Sequence, residues 1–301
     1  MNWRIFDAGP GVFPESTLWD AAREGLWWLD IHARLLCFRS LNGQTRKNWP
    51  VNDEPGALLL DADGRLLLGG REALWRFHPD TESLTRLIDT PFNAETMRFN
   101  DAGVSPTGEP VFSSLYDPKD AARAGLFRYD GAGFERLADD VITGNTPVWN
   151  RDGSRLYWAD TRGHRILCFD VSPASGRLNG RRVHWSGRAF SPGRPDGMAL
   201  DSEDCLWVAL FEGAAVVRIS PTGELLRVLP VPALCPTRPA FGGPDLRTLF
   251  LATAGTARPA GERHAYPCSG AILALCCDIA GHPPGLARPG SAPAQAQTQE
   301  P

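Results

Sequence analysis

Lysine is almost missing from this chain. Of its 31 basic side chains only Lys47 and Lys119 are lysines, the arginines are scattered, and the formal net charge is −4. Without a basic run to track a phosphate backbone, nucleic acid is not an expected partner. No apolar run approaches the roughly 20 residues that cross a bilayer, so no membrane partner is expected either. The first eleven residues contain Asp7 and Pro10 and no long apolar core, which reads as no secretory leader and a cytoplasmic location. Cys-x-x-Cys spacing is absent. The cysteines are seven, an odd number, and several of them (Cys37, Cys168, Cys205, Cys235, Cys268, Cys276, Cys277) sit within apolar runs, which suits reduced core thiols better than a disulfide framework. Also missing are a Gly-x-Ser-x-Gly elbow, a His-Glu-x-x-His helix and a Gly-rich phosphate loop with its lysine. Those absences remove serine-hydrolase, zinc-peptidase and nucleotide chemistry from the expected functions.

What is present is repetition. With 43% hydrophobic residues over 301 positions, the chain can bury a large core. Short apolar runs start at residues 25, 65, 109, 155, 205 and 248, in steps of 40, 44, 46, 50 and 43. Each is followed by a second segment of alternating apolar positions, such as Leu35–Phe38, Ala73–Phe77 and Arg165–Phe169. Period two with branched and aromatic residues, bounded by Gly, Pro, Asp and Ser, predicts strands. Asp61-Ala-Asp63-Gly64 and Asn150-Arg-Asp152-Gly153 read as hairpin turns, since the first lacks the closing acid of a calcium loop. Units of this size, all strand and turn, predict an all-β fold, a six-bladed β-propeller with four-stranded blades around a central channel. One such domain is expected over residues 1–282, closed by Trp3–Phe6 joining the last blade. Residues 283–301, rich in Pro, Ala and Gln, are expected to form a disordered tail.

Equivalent strands place equivalent residues at one mouth of the channel. Ten or eleven positions before Leu26, Pro110, Leu156 and Leu206 stand Glu15, Asn100, Asn145 and Asp196. A ring of carboxylate and amide oxygens suits a hard or borderline divalent cation. Taken singly, each has a plainer explanation: Pro195-Asp196-Gly197 is a common turn sequence, Asn145 can start a loop, Glu15 can be a solvated acid, and Arg98 with Asp101 can form a structural ion pair. The shared register favours the functional reading. The tryptophans Trp27, Trp28, Trp158 and Trp207 are assigned to packing between blades.

Pro14-Glu-Ser-Thr-Leu-Trp19, Arg98-Phe-Asn-Asp101, Asn145 to Trp149 ahead of Asp152-Gly-Ser-Arg-Leu-Tyr157, Arg194-Pro-Asp-Gly197 and Ala240 to Leu249 resemble the motifs of the senescence marker protein, gluconolactonase and luciferin-regenerating family. The resemblance spans roughly residues 10–282 and is closest to bacterial sugar-acid lactonases. It implies one catalytic divalent metal ion (Ca, Zn, Mg, Mn or Fe) held by Glu15, Asn145 and Asp196, with Asp196 also the general base and Arg98 and Asn100 holding the substrate. The implied activity is metal-dependent hydrolysis of a pentono- or hexonolactone to the aldonic acid, by a monomer or weak homo-oligomer. Pro14, Ala102 and Thr146 stand where the family usually has Gly, and Phe112–Pro118 replaces a segment where some relatives supply an acidic substrate contact. A non-catalytic calcium-binding or scaffold propeller, and a metal-dependent esterase for another ester, are the alternatives on the same fold.

Overall fold

The structure, a computed structural model, describes residues 2–9, 11–255 and 260–290. Within them the chain forms six four-stranded antiparallel sheets in a ring, the expected six-bladed β-propeller. The inner strands are Pro14–Asp20, Ala57–Leu60, Met97–Val104, Gly144–Trp149, Arg194–Leu200 and Pro236–Gly242. The apolar runs picked out by spacing are the second strands, among them Gly25–Asp30, Arg155–Asp160 and Thr248–Thr253. Blade six is completed by Arg4–Asp7, which pairs antiparallel with Ile272–Cys276. One blade is thus sewn from both ends of the chain.

The core lies between blades. Alternate residues of a strand point to opposite faces of its sheet, and here both faces are covered. Trp27 therefore packs toward blade two with Leu58 and Phe77, while its neighbour Trp28 packs toward blade six with Phe250 and Ile272. Trp158 and Trp207 repeat the arrangement at the blade three–four and five–six interfaces. Six apolar clusters result, each shared by two adjacent blades, which is why the second strands read as continuous apolar runs. The two Asp-Gly turns are hairpins at the bottom of blades two and four, with Gly64 and Gly153 at φ of +78° and +72°. All seven cysteines are free, five of them buried. Among the described residues, no helix is long and apolar enough to cross a membrane.

The expected start of a disordered tail at residue 283 needs correction. Residues 281–290 run across the channel mouth formed by the hairpins between first and second strands. His282 N–H donates to Leu200 O at 2.8 Å, Ala287 N–H to Leu60 O at 2.8 Å and Arg288 N–H to Gly108 O at 2.7 Å. Ala287 is wholly buried between blades two and three. The composition hid this because a strap needs backbone partners rather than apolar periodicity. Residues 291–301 lie outside the described residues.

Candidate functional site

The inner strands are irregular where the candidate residues stand. Pairing with the second strand slips between Glu15 and Leu18, Phe99 and Asp101, Gly144 and Pro147, Pro195 and Met198, and Pro236 and Pro239. A bulge frees a residue from the ladder and re-aims its side chain. In five blades the bulge falls at the ring position, so Glu15, Asn100, Asn145, Asp196 and, in blade six, Thr237 or Arg238 stand at or beside a break in the ladder. Blade two has no slip, and its Gly56 leaves room instead: a Cβ there would lie 2.2 Å from Phe99 O and 2.5 Å from Arg98 Nη1.

Glu15 and Asp196 are only 4% and 5% exposed, and neither forms an ion pair with a described residue. Asp196 Oδ1 accepts from Asn145 Nδ2 and, at 3.4 Å, from Thr161 Oγ1. Turning its amide nitrogen to Asp196 leaves Asn145 Oδ1 buried without a partner. Burial raises the Glu15 carboxyl well above the usual range, with Asp196 and Asp101 adding repulsion. Burial, and then Asp101, push Asp196 up to about 8. Two buried carboxylates that cannot comfortably ionise together, beside an orphaned amide oxygen, form a donor set that a divalent cation completes. The residues present fit such an ion, with Glu15, Asn145 Oδ1 and Asp196 as its holders. The third donor is an amide, and among the described residues no group of three or more His, Cys, Asp or Glu side chains is arranged for a metal.

The ion pair weighed between Arg98 and Asp101 does not form. Asp101 pairs with Arg238 of blade six and accepts from Thr146 Oγ1 of blade four. Thr146 Oγ1 takes the Met198 N–H at 3.1 Å, and Thr17 Oγ1 donates to Arg238 O at 2.8 Å. This belt joins five blades beneath the carboxylates and was not foreseen, because its members meet only across blades. A cavity of about 540 Å³ fills the channel between the belt and the strap, and Glu15, Asn145 and Asp196 do not line it. Arg98 is fixed by Nη1–H to Phe99 O at 2.9 Å and by Nε to Glu54 at 3.2 Å, which leaves Nη2 without a partner among the described residues. Glu54 is held in turn by Arg71 at 2.9 Å. Asn100 donates through Nδ2 to Gly144 O at 2.9 Å, which leaves Oδ1 as an acceptor. To one side, Phe13 stacks on Phe211 at 6.1 Å and Arg194 lies over the same ring.

The family model described as "SMP-30/Gluconolactonase/LRE-like region" matches residues 13–255. A 6-deoxy-6-sulfogluconolactonase of Pseudomonas putida is 31% identical over 281 residues, which is 93% of this chain and 95% of that one. A pentonolactonase of Haloferax volcanii is 31% identical over 249 residues, 80% of this chain and 81% of the other. Among solved structures, a calcium-binding protein, regucalcin, of Agrobacterium tumefaciens superposes with a TM-score of 0.90 at 23% identity, covering 95% of this chain and 97% of that chain, a likeness of fold. With the model matching most of the chain, the protein belongs to the SMP-30/gluconolactonase/LRE-like family.

Proposed function

We propose that this mouth opens the ring of a sugar-acid lactone by adding water to its ester carbonyl, releasing the aldonic acid. The observation that carries the reading is the meeting of Glu15, Asp196 and the free Asn145 Oδ1 at one mouth with Arg98 and Asn100. The names of relatives, one for a sulfogluconolactone and one for a pentonolactone, point the same way.

A divalent cation held by Glu15, Asn145 Oδ1 and Asp196 would supply Lewis-acid polarisation of the ester carbonyl. Asp196 is the general base: its Oδ1 is taken by Asn145 and Thr161, so Oδ2 is the oxygen left to accept a proton from the attacking water. As the water oxygen bonds to the acyl carbon, the bond from that carbon to the ring oxygen breaks. Asp196 returns the proton to the departing ring oxygen, and the acid and its hydroxyl are released. Arg98 offers Nη2 to the carbonyl or a hydroxyl of the substrate, its other nitrogens being fixed, so its positive charge is already aimed as negative charge develops. Asn100 Oδ1 accepts from a ring hydroxyl.

The test is acid release from a panel of pentono- and hexonolactones by chelator-stripped protein with single divalent metals restored, set against spontaneous opening. Asp196→Asn is expected to lower kcat by about 10³-fold or more while the fold, read by circular dichroism, persists. Activity of Asp196→Asn equal to wild type, or wild-type rates at the blank with every metal, would sink the reading.

A further inference from the structure

Asn145 and Thr146 are consecutive residues with different neighbours. Ladder pairing in blade four holds Gly144 opposite Asp160 and Pro147 opposite Trp158, so both residues lie in the bulge between. Blade five repeats the arrangement: Pro195 and Met198 are paired, and Asp196 and Gly197 lie between them. A bulge leaves its extra residue unpaired and the ladder locally disrupted, so something other than the ladder must set where its side chain stands.

Thr146 supplies that fixing. The residue is only 1% exposed, its hydroxyl donates to Asp101 of blade three, and the same oxygen accepts the Met198 N–H of blade five at 3.1 Å. Asp101, wholly buried, is held in turn by Arg238 of blade six and by Ala102 N–H at 2.7 Å. Gly197 makes room for that arginine, since a Cβ there would lie 2.6 Å from Arg238 Cδ. One hydroxyl thus ties blade four to blades three and five, one residue past Asn145 and two past Asp196. The direct bond from Asn145 Nδ2 to Asp196 Oδ1 cannot take its place once an ion is held, because Asn145 must then turn its Oδ1 to the cation. The tie through Thr146 makes no use of the Asn145 amide and survives that turn.

Resting on the reading of Glu15, Asn145 and Asp196 as holders of a divalent cation, we infer that Thr146 is a positioning residue for that site. Its hydroxyl sets the separation of Asn145 and Asp196, and thereby the affinity for the ion. The glycine usual at this position in the family has no hydroxyl to offer, so the tie is written in this chain's own sequence.

The experiment titrates chelator-stripped wild type, Thr146→Val and Thr146→Ser calorimetrically with calcium, manganese and zinc, and follows their unfolding by denaturant in chelator. Valine keeps the shape and removes the hydroxyl; serine keeps the hydroxyl. Thr146→Val is expected to weaken binding of the preferred ion by about tenfold or more, and Thr146→Ser to stay within about threefold of wild type. On the best lactone at saturating metal, kcat of Thr146→Val should fall by about threefold or more with KM within about twofold, since Arg98 and Asn100 are untouched. A merely structural role lowers the denaturant midpoint and leaves the metal affinity where it was. Equal affinity in wild type and Thr146→Val, or serine as weak as valine, overturns the inference while the lactonase reading stands. Thr146→Gly, with no side chain to misfit the bulge, answers the same question should the valine variant not fold. Wild type that takes up none of the three ions ends both the inference and the metal-dependent reading on which it rests.

Discussion

Asp196 and Glu15 tie the stability of the protein to the chemistry proposed for its mouth. A carboxyl that titrates near 8 when folded and near 4 when unfolded holds its proton in the native state across that interval. Its stabilising contribution is complete below the unfolded value and is lost as pH rises through the folded one. In chelator, unfolding free energy is expected to fall by about 1 kcal/mol between pH 7 and 8.5, a window above the ordinary histidine range. Denaturant midpoints at the two pH values check this, and Asp196→Asn is expected to flatten the slope. A divalent cation held as proposed would bind the ionised form, so its stabilisation of wild type should grow over the same interval. A slope of the opposite sign in chelator would show that the two carboxylates are not buried against each other. The candidate residues stand out because the inner strands repeat: one step back from each apolar run arrives at Glu15, Asn100, Asn145 and Asp196. The same step from Leu249 arrives at Arg238 and from Leu66 at Gly56. Neither carries the side-chain oxygen that the register of a cation ring predicts. Asp101, Thr161 and Glu54 were hidden for a different reason, since each partner lies on another strand or blade and no local spacing encodes it.

At the scale of the strand, the bulges make a site out of a ladder. A regular inner strand points alternate side chains into its two blade interfaces, which leaves no reason for a buried acid to face the channel. The slips at Glu15, Asn100, Asn145 and Asp196 supply that reason, and they were not legible because a bulge adds no composition signal to a strand pattern. Blade two reaches the same end by subtraction at Gly56. Gly56→Ala is expected to press Cβ against Phe99 O, the oxygen that fixes Arg98, at a cost of roughly 1–3 kcal/mol. Displacing Arg98 should also lower kcat/KM by about tenfold or more, mostly through KM, since Arg98 is assigned to holding substrate. Gly133→Ala is the control, as a Cβ there meets nothing within 4 Å. Steady-state kinetics and denaturant titration on the two variants separate the outcomes, and equal behaviour would mean that Arg98 has room to move. Strand existence, by contrast, was readable almost to the residue: Gly25–Asp30, Arg155–Asp160 and Thr248–Thr253 begin and end where the apolar runs do.

At the scale of the whole ring, closure is the step on which every blade depends. Each apolar cluster is shared by two blades, so a blade left without its neighbour exposes half of two cores. Arg4–Asp7 closes blade six, and Asp7 is clamped to blade one by Arg46 at 2.8 Å. The strap is a second tie, across the mouth opposite the carboxylates, linking blade five at Leu200, blade two at Leu60 and blade three at Gly108. With Gly281 N–H to Leu246 O at 2.8 Å and Ala62 N–H to Ala287 O at 2.9 Å, the segment beyond Ala280 makes five backbone hydrogen bonds to the blades, about 5 kcal/mol on ordinary values of ~1 kcal/mol each. A chain ending at Ala280 is therefore expected to melt several degrees below one ending at Gly290, about 5 °C or more for a domain of this size. Its kcat/KM at low temperature should be unchanged, because the strap touches none of Glu15, Asn145, Asp196, Arg98 and Asn100. The alternative is that the strap also holds the channel's internal cavity in shape. In that case Ala287→Arg, which leaves the chain at full length but cannot be buried between blades two and three, would lower activity together with melting temperature. Melting curves and lactone kinetics on the two truncated chains and Ala287→Arg distinguish a tie that only closes the ring from one that also tunes its mouth.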